Sequence, residues 1–340
     1  MPILDGKTAI VTGAGRGLGR AEARELARLG AHVIVNDYGQ PGRDGTGAPS
    51  AAPAEEVAAE IRAEGGSATA HLGDVADFAQ ARELVRLAVD GHGSLDILVN
   101  NAGILRDRMV FSMSEEEWDA VVRVHLKGHF NTTRFAAAHW RERAKASGAP
   151  VYGRIVNTSS EAFLAGSPGQ PNYAAAKGGV VGLTTSTAAA LARYGVTANA
   201  ICPRARTRMT EDVFGRFPRD GAGPAGTGDE ADAAGTGEGA GSGGSGDGAG
   251  TIDPLAPEHV APLVGYLAGP AAAGINGRLF VVHGGMLAVL AQPRVAARFD
   301  TTGEVFTVEE LDGLLTPYFA GRPPGESFAA RDVLALKHGG

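Results

Sequence analysis

Apolar residues follow two rhythms along this chain. Short, nearly continuous apolar runs at 8–11, 32–35, 68–72, 96–99, 154–157, 197–201 and 279–282 read as strands. Between them, stretches with helical spacing run over 17–29, 54–64, 78–90, 115–143, 171–193 and 257–268. Strands alternating with helices predict βαβ units and a parallel sheet. A run such as Asp96-Ile-Leu-Val99, apolar without alternation, suits a strand covered on both faces. Right-handed crossovers then give an α/β fold, a doubly wound parallel sheet of about seven strands with helices on both faces.

Three segments break the rhythm. Residues 219–253 contain no aromatic residue, no cation after Arg219 and many glycines. Such a stretch buries too little apolar surface to offset its ordering entropy, so it reads as a flexible acidic insertion. It suits either a tolerated surface insertion or a lid over a substrate. Residues 39–53, rich in Gly, Pro and Ser, read as a plain bridge from the second strand to its helix. Beyond Ala288 the pattern ends. A short helix is expected over 308–315, with Thr307 as N-cap and Glu310 completing a capping box, and another over 328–336. This organisation predicts one catalytic domain over 1–290, interrupted at 219–253, with 291–340 as an appendage packed on it.

Composition narrows the function classes. Hydrophobic residues make up 44%, ample for a core, and the net charge of −7 carries no nucleic-acid footprint. The one cysteine, Cys202, permits no intrachain disulfide and reads as a small buried residue. The opening MPILDGKTAIVTGAG lacks a cationic segment followed by an apolar run, and no apolar stretch approaches the ~20 residues of a membrane span. A cytoplasmic protein is therefore expected. No HExxH or CxxC array occurs, so no metal is expected. The helix at 115–143 carries Phe130, Phe135 and Trp140, which could pack against a twin.

Candidate chemistry starts at the first strand. It runs into Thr12-Gly-Ala-Gly-Arg-Gly-Leu-Gly19 and then a helix. Gly13, Gly17 and Gly19 allow a tight turn and close approach of backbone to a pyrophosphate at the helix N-terminus, with Arg16 and Leu18 beside it. Asp37 ends the second strand, twenty residues after Gly17. A carboxylate there accepts from an adenosine ribose and repels a 2′-phosphate, favouring NAD over NADP; Arg16 argues the other way. Asp74 and Val75 follow the third strand, and Asn101, Ala102 and Gly103 follow the fourth, at the sheet edge where ligands bind.

The second cluster is Tyr173 and Lys177, thirteen and seventeen residues after Ser160. Positions i and i+4 share one helix face. An ammonium beside a phenol is expected to pull the tyrosine pKa down from about 10, making a general acid/base for an alcohol or carbonyl.

Taken together, Thr12-Gly13-x-x-x-Gly17-x-Gly19, Asn100-Asn-Ala-Gly103, Ser160 and Tyr173-x-x-x-Lys177 resemble the short-chain dehydrogenase/reductase family, with its Rossmann fold. Further stretches are similar to the (3R)-hydroxyacyl-CoA dehydrogenase unit of peroxisomal multifunctional enzymes of type 2 and to its bacterial single-domain relatives. These are Asn36-Asp37, Asn101 through Arg108, Val124-His-Leu-Lys-Gly128, Ala205 through Glu211 and Pro257 through Val264. The resemblance implies an NAD-linked interconversion of (3R)-3-hydroxyacyl-CoA and 3-ketoacyl-CoA, by homodimers or homotetramers. It implies that Ser160 orients the substrate oxygen, Tyr173 moves the proton and Lys177 holds the nicotinamide ribose. His125 stands where many members have an asparagine in a proton relay; it reads as a relay member or as a packed helix residue. Pro203-Arg204 departs from the common Pro-Gly. Two rival readings stay open: an NADPH-linked ketoreductase acting on acyl-carrier-protein thioesters, polyketides or steroids, and a non-catalytic dinucleotide sensor.

Overall fold

The computed structural model describes residues 2–207, 253, 255–301, 303–323 and 326–336. The predicted insertion at 219–253 lies, Asp253 apart, outside the described residues.

Eight strands form one sheet in the order β3-β2-β1-β4-β5-β6-β7-β8. They are β1 Thr8–Thr12, β2 His32–Asp37, β3 Ser67–Leu72, β4 Ile97–Asn100, β5 Gly153–Thr158, β6 Val196–Pro203, β7 Leu279–His283 and β8 Met286–Val289. The first seven pair in parallel. The seven expected strands are thus present, and the eighth is an addition. It runs antiparallel to β7, with His283 opposite Met286. Gly284 and Gly285 make the two-residue turn between them, Gly284 at φ +49°. A Gly-Gly pair between two apolar runs is a hairpin signal.

The helices follow the predicted crossovers. They are α1 Gly17–Arg28, α2 Ala52–Ala63, α3 Phe78–His92, α4 Glu115–Val122, α5 Gly128–Ser147, α6 Ala162–Ala165, α7 Pro171–Leu191, α8 Ala261–Ala268 and α9 Val308–Ala320. Alternation along β1 explains the layering. Ala9 and Val11 face the cluster that holds Leu26 of α1 and Val57 of α2. Ile10 faces the other side, with Leu84 of α3, Trp140 of α5 and Leu191 of α7. Both sheet faces are dry, as continuous apolar strands require.

Three expectations need correction. The helix over 115–143 is interrupted by a π-helical turn, Arg123–Lys127, which contains His125. The stretch over 328–336 folds only as a short 3-10 turn, Arg331–Ala335. Its single-turn length leaves it dependent on tertiary contacts. The bridge over 39–53 is a docked loop. Leu105 N–H donates to the Arg43 carbonyl (3.0 Å) and Arg106 Nε donates to the Asp44 carbonyl (3.0 Å). Thr307 caps α9 as expected, its hydroxyl accepting from Glu310 N–H at 3.1 Å.

Of the aromatic trio proposed to meet a twin, Trp140 is fully buried and donates to the Leu95 carbonyl at 2.6 Å. Phe135 packs on Phe78 with centroids 4.7 Å apart, so only Phe130 is exposed. Among the described residues, no helix is long and apolar enough to cross a membrane.

Candidate active site

The carboxyl ends of β1 to β4 open onto a cleft of about 1030 Å³, continuous with solvent. Its lining includes Gly13, Arg16, Gly17, Leu18, Asp37, Asp74, Val75, Asn101, Ala102 and Gly103. Gly19, the remaining predicted member of this set, lies just beneath. A Cβ there would meet the Gly13 carbonyl at 2.4 Å and Asn101 Nδ2 at 2.6 Å.

Side chains organise the backbone of this cleft. Thr12 Oγ1 accepts from Asn101 N–H (3.0 Å) and Ala102 N–H (3.2 Å). Asn101 Nδ2 donates to the Thr12 and Gly13 carbonyls, both at 3.2 Å. Gly13 sits at φ +64°, and a Cβ would come within 2.7 Å of the Ala102 Cα. Only glycine accepts both the left-handed conformation and that approach. Asp37 accepts from Gly15 N–H (2.8 Å) and Gly39 N–H (2.6 Å), so its carboxylate is held at the cleft rim. Asp74 pairs with Arg123 at 2.9 Å, and the Val75 carbonyl accepts from Asn131 Nδ2.

These features fit a dinucleotide. No side chain caps α1, so its first-turn N–H groups remain available to a phosphate, and the glycines leave a cradle that a Cβ would fill.

The residues expected to orient the substrate and move the proton lie at the end of β5 and along the first turns of α7. Ser160 follows β5, its hydroxyl accepts from Ala162 N–H at 3.2 Å, and it lies near enough to the Tyr173 phenol to bear on that group's titration. Lys177 is buried one turn along α7, its ammonium donating to the Thr158 carbonyl at 2.6 Å. The structure therefore brings Ser160, Tyr173 and Lys177 together, as their spacing predicts.

The electrostatics differ from the expectation. Burial pushes the Tyr173 phenol up to about 12, with the Ser160 hydroxyl acting in the other direction. Burial likewise lowers Lys177 to about 7. Lys177 Nζ lies 5.5 Å from the Tyr173 ring centroid and is spent on Thr158. Desolvation is the largest influence on both groups, and it favours the neutral phenol and the neutral amine.

His125 joins the two halves. Its ring meets Tyr173 edge-on, with centroids 5.1 Å apart, and a Cβ on Gly103 would strike it. Nε2 lies 2.8 Å from the Ile104 carbonyl, while Nδ1 is buried without a hydrogen-bond partner. Burial, aided by the Lys177 charge, holds its pKa well below the ordinary imidazole value, so the ring is neutral. The π turn supplies the local widening from which this side chain projects.

Several contributors escaped the sequence reading, although Asn100 opens the Asn-Asn-Ala-Gly motif. Asn100 and Asn157 stand opposite each other in β4 and β5, and Asn100 Nδ2 donates to Asn157 Oδ1 at 2.9 Å. Thr132 donates to Asn100 Oδ1 at 2.6 Å and Asn157 donates to Thr184 Oγ1 at 2.9 Å, tying α5 and α7 to the sheet beneath the site. Their signal was a polar side chain closing an apolar strand. Asn172 is also buried. Its amide donates to the Arg106 and Glu117 carbonyls and its oxygen accepts from Tyr173 N–H at 2.7 Å. Glu22 of α1 is fully buried with both oxygens unpartnered, and burial raises it to about 8 against the pull of Lys177. Cys202 is buried as expected, and burial pushes its thiol up to about 12.

A family model described as short chain dehydrogenase matches residues 7–215. The chain is 51% identical to hydroxyacyl-CoA dehydrogenase ChsB1 of Mycobacterium tuberculosis over 97% of its length and 94% of that protein. It is 40% identical to peroxisomal multifunctional enzyme type 2 of Mus musculus, over 85% of this chain and 33% of that longer protein. A crystal structure of a short chain dehydrogenase from Mycobacterium avium superposes with a TM-score of 0.75 at 42% identity, covering 96% of this chain and all of that one. With a cradle for a dinucleotide on one side and a serine, tyrosine and lysine gathered on the other, this chain belongs to the short chain dehydrogenase family, oxidoreductases that act on CH–OH groups.

Proposed function

We propose that this enzyme interconverts (3R)-3-hydroxyacyl-CoA and 3-ketoacyl-CoA, using NAD. The observation that carries the reading is the gathering of Ser160, Tyr173 and a buried Lys177, its Nζ 5.5 Å from the Tyr173 ring, beside a cleft edged by a carboxylate. The substrate class rests on similarity to the hydroxyacyl-CoA dehydrogenase and the multifunctional enzyme. The cofactor choice rests on Asp37, since a fixed carboxylate at the ribose position opposes a 2′-phosphate. Arg16, the counter-signal, points its guanidinium at the Gln40 carbonyl (3.4 Å).

The bound nicotinamide supplies the hydride acceptor or donor. Gly13, Gly17, Leu18, Gly19 and the first turn of α1 would hold the dinucleotide's pyrophosphate, and Asn101 to Gly103 would line the rest of the cleft. Ser160 orients the substrate oxygen. Tyr173 gives its proton to that oxygen in reduction and takes it in oxidation. Lys177, titrating near neutrality, carries the charge that favours the phenolate in the oxidative direction. His125 fixes the edge of the Tyr173 ring, and its unpartnered Nδ1 is the ring atom a relay would use. The enzyme is proposed to act in the cytoplasm as a homodimer or homotetramer. Exposed Trp118 and Phe130 on α4 and α5 provide a contact face.

Steady-state rates with NAD and NADP, against (3R)- and (3S)-3-hydroxyacyl-CoAs of several lengths and simple secondary alcohols, test this. Preference for NADP, or for an acyl-carrier-protein thioester, would move the assignment to the ketoreductase reading. Tight dinucleotide binding without turnover of any alcohol would point to a sensor.

A further inference from the structure

Arg204, the departure from the common Pro-Gly, does something specific. Its backbone N–H extends the sheet by donating to the Val282 carbonyl at 2.9 Å. Its side chain reaches Glu161, the residue after Ser160, in a two-pronged ion pair: Nε to Oε2 at 2.6 Å and Nη2 to Oε1 at 2.7 Å. The remaining donors go to the C-terminal segment. Nη1 donates to the Leu336 carbonyl at 2.6 Å, and Nη2 also donates to the Val333 carbonyl. Both charged side chains are nearly enclosed, with side-chain exposures of 14% and 11%.

Segment 326–336 is also held at α6. Ala330 N–H donates to the Leu164 carbonyl at 2.8 Å, and Val333 is buried. On the other side of α6, Phe163 packs within about 4 Å of the space above Gly178 on α7. α6 is thus set between the helix bearing Tyr173 and the C-terminal segment, and it begins two residues after Ser160. A guanidinium suits this junction. Its rigid planar fork satisfies a carboxylate and two carbonyls at once, whereas an ammonium offers a compact point charge.

We propose that Arg204 is a positioning residue that clamps segment 326–336 onto the loop carrying Ser160, making that segment a wall of the substrate pocket. This rests on the reading of Ser160 as the hydroxyl that orients the substrate oxygen. The ion pair carries no proton in the reaction. It sets where α6 and the C-terminal segment stand relative to Ser160, and so acts on the part of the substrate beyond the reacting carbon.

The test compares the wild type with Arg204→Lys, Arg204→Met and the double variant Arg204→Met, Glu161→Gln, all in the full chain. Removing Arg204 alone strands a buried carboxylate beside Ser160; the double variant removes that charge as well. Amide hydrogen exchange at Ala330, Val333 and Leu336 should accelerate in both Met-containing variants, with Lys intermediate. The KM for a hydroxyacyl-CoA should rise about tenfold with kcat on a small secondary alcohol within about twofold, and the dinucleotide Kd should not change. Unchanged exchange in the double variant would overturn the clamp. Faster exchange with unchanged KM would overturn the wall. Full recovery of KM in the double variant would trace the effect to the stranded charge and overturn the proposal. A wild-type chain that oxidises no alcohol with either cofactor would sink the reading of Ser160 instead, and exchange would then decide the clamp alone.

Discussion

The two halves of the active site are held by different physics. At the cofactor half, β1, the glycine loop and β4 are joined by neutral hydrogen bonds through Thr12 and Asn101, over glycines that leave room for a ligand. Residues far apart in sequence meet here, yet each contact follows from strand register and a short motif. At the substrate half, Lys177 and His125 are buried, while Tyr173 and the Arg204–Glu161 pair are half-buried ionisable groups. Their states depend on what covers them. The cofactor half is a matter of shape, the substrate half of desolvation. Shape is carried by the local chain, while desolvation is a property of the whole packing around a group.

That contrast can be broken or sharpened by measurement. Tyr173→Phe should have the largest effect, lowering kcat about 10²–10⁴-fold while leaving dinucleotide affinity intact, since only the proton-transfer group is removed. Substantial residual turnover, by stopped-flow hydride transfer, would take Tyr173 out of the role.

Glu22 is the exception in the cofactor half, a buried carboxyl that belongs with the other group. Its pKa rises from 4.5 to about 8, so the fold prefers its neutral form. That contribution is full below pH 4.5 and is lost as pH rises toward about 8, because the unfolded chain releases the proton first. Glu22→Gln should therefore gain on the wild type by a few kcal/mol between pH 5 and 8, measured as ΔG of unfolding in urea. A difference independent of pH would mean that the carboxyl is ionised in the fold.

Asp37→Ala tests shape against charge at the cleft rim. Loss of hydrogen bonds to a charged group predicts a fall of about 10–100-fold in kcat/KM with NAD, and a smaller fall or a gain with NADP. Equal losses with both cofactors would reduce Asp37 to a loop anchor, a role its bonds to Gly15 and Gly39 also support.

The pH profile reads the substrate half directly. A phenol near pH 12 stays protonated through the working range, so reduction should show no dependence on this group. Oxidation needs the phenolate and should rise about tenfold per pH unit above neutrality. An oxidative rate already flat at pH 7 would show that ligand binding overrides the desolvation seen here.

Much of the architecture was legible because parallel strands covered on both faces leave a plain signature. The first seven strands and the crossover helices emerged within a few residues of their observed limits. The Ser160, Tyr173 and Lys177 spacing was enough to gather those side chains. Strand β8 was missed because Leu287 and Val289 are exposed on a short edge, although Gly284-Gly285 marked the hairpin. The π turn left no trace in the pattern, since Arg123–Lys127 keeps helical spacing on either side. The loop over 39–53 looked like a linker because its partners, Leu105 and Arg106, lie some sixty residues away.

Alone, the sequence determined the order of strands and helices, the glycine cradle and the inventory of reactive groups, because these rest on local spacing and backbone freedom. Only the tertiary structure decided the desolvation of Tyr173 and Lys177, the enclosure of Glu22 and the seat of residues 326–336 on Arg204. Burial is a sum over distant neighbours, and no short stretch of chain encodes what will exclude water from it.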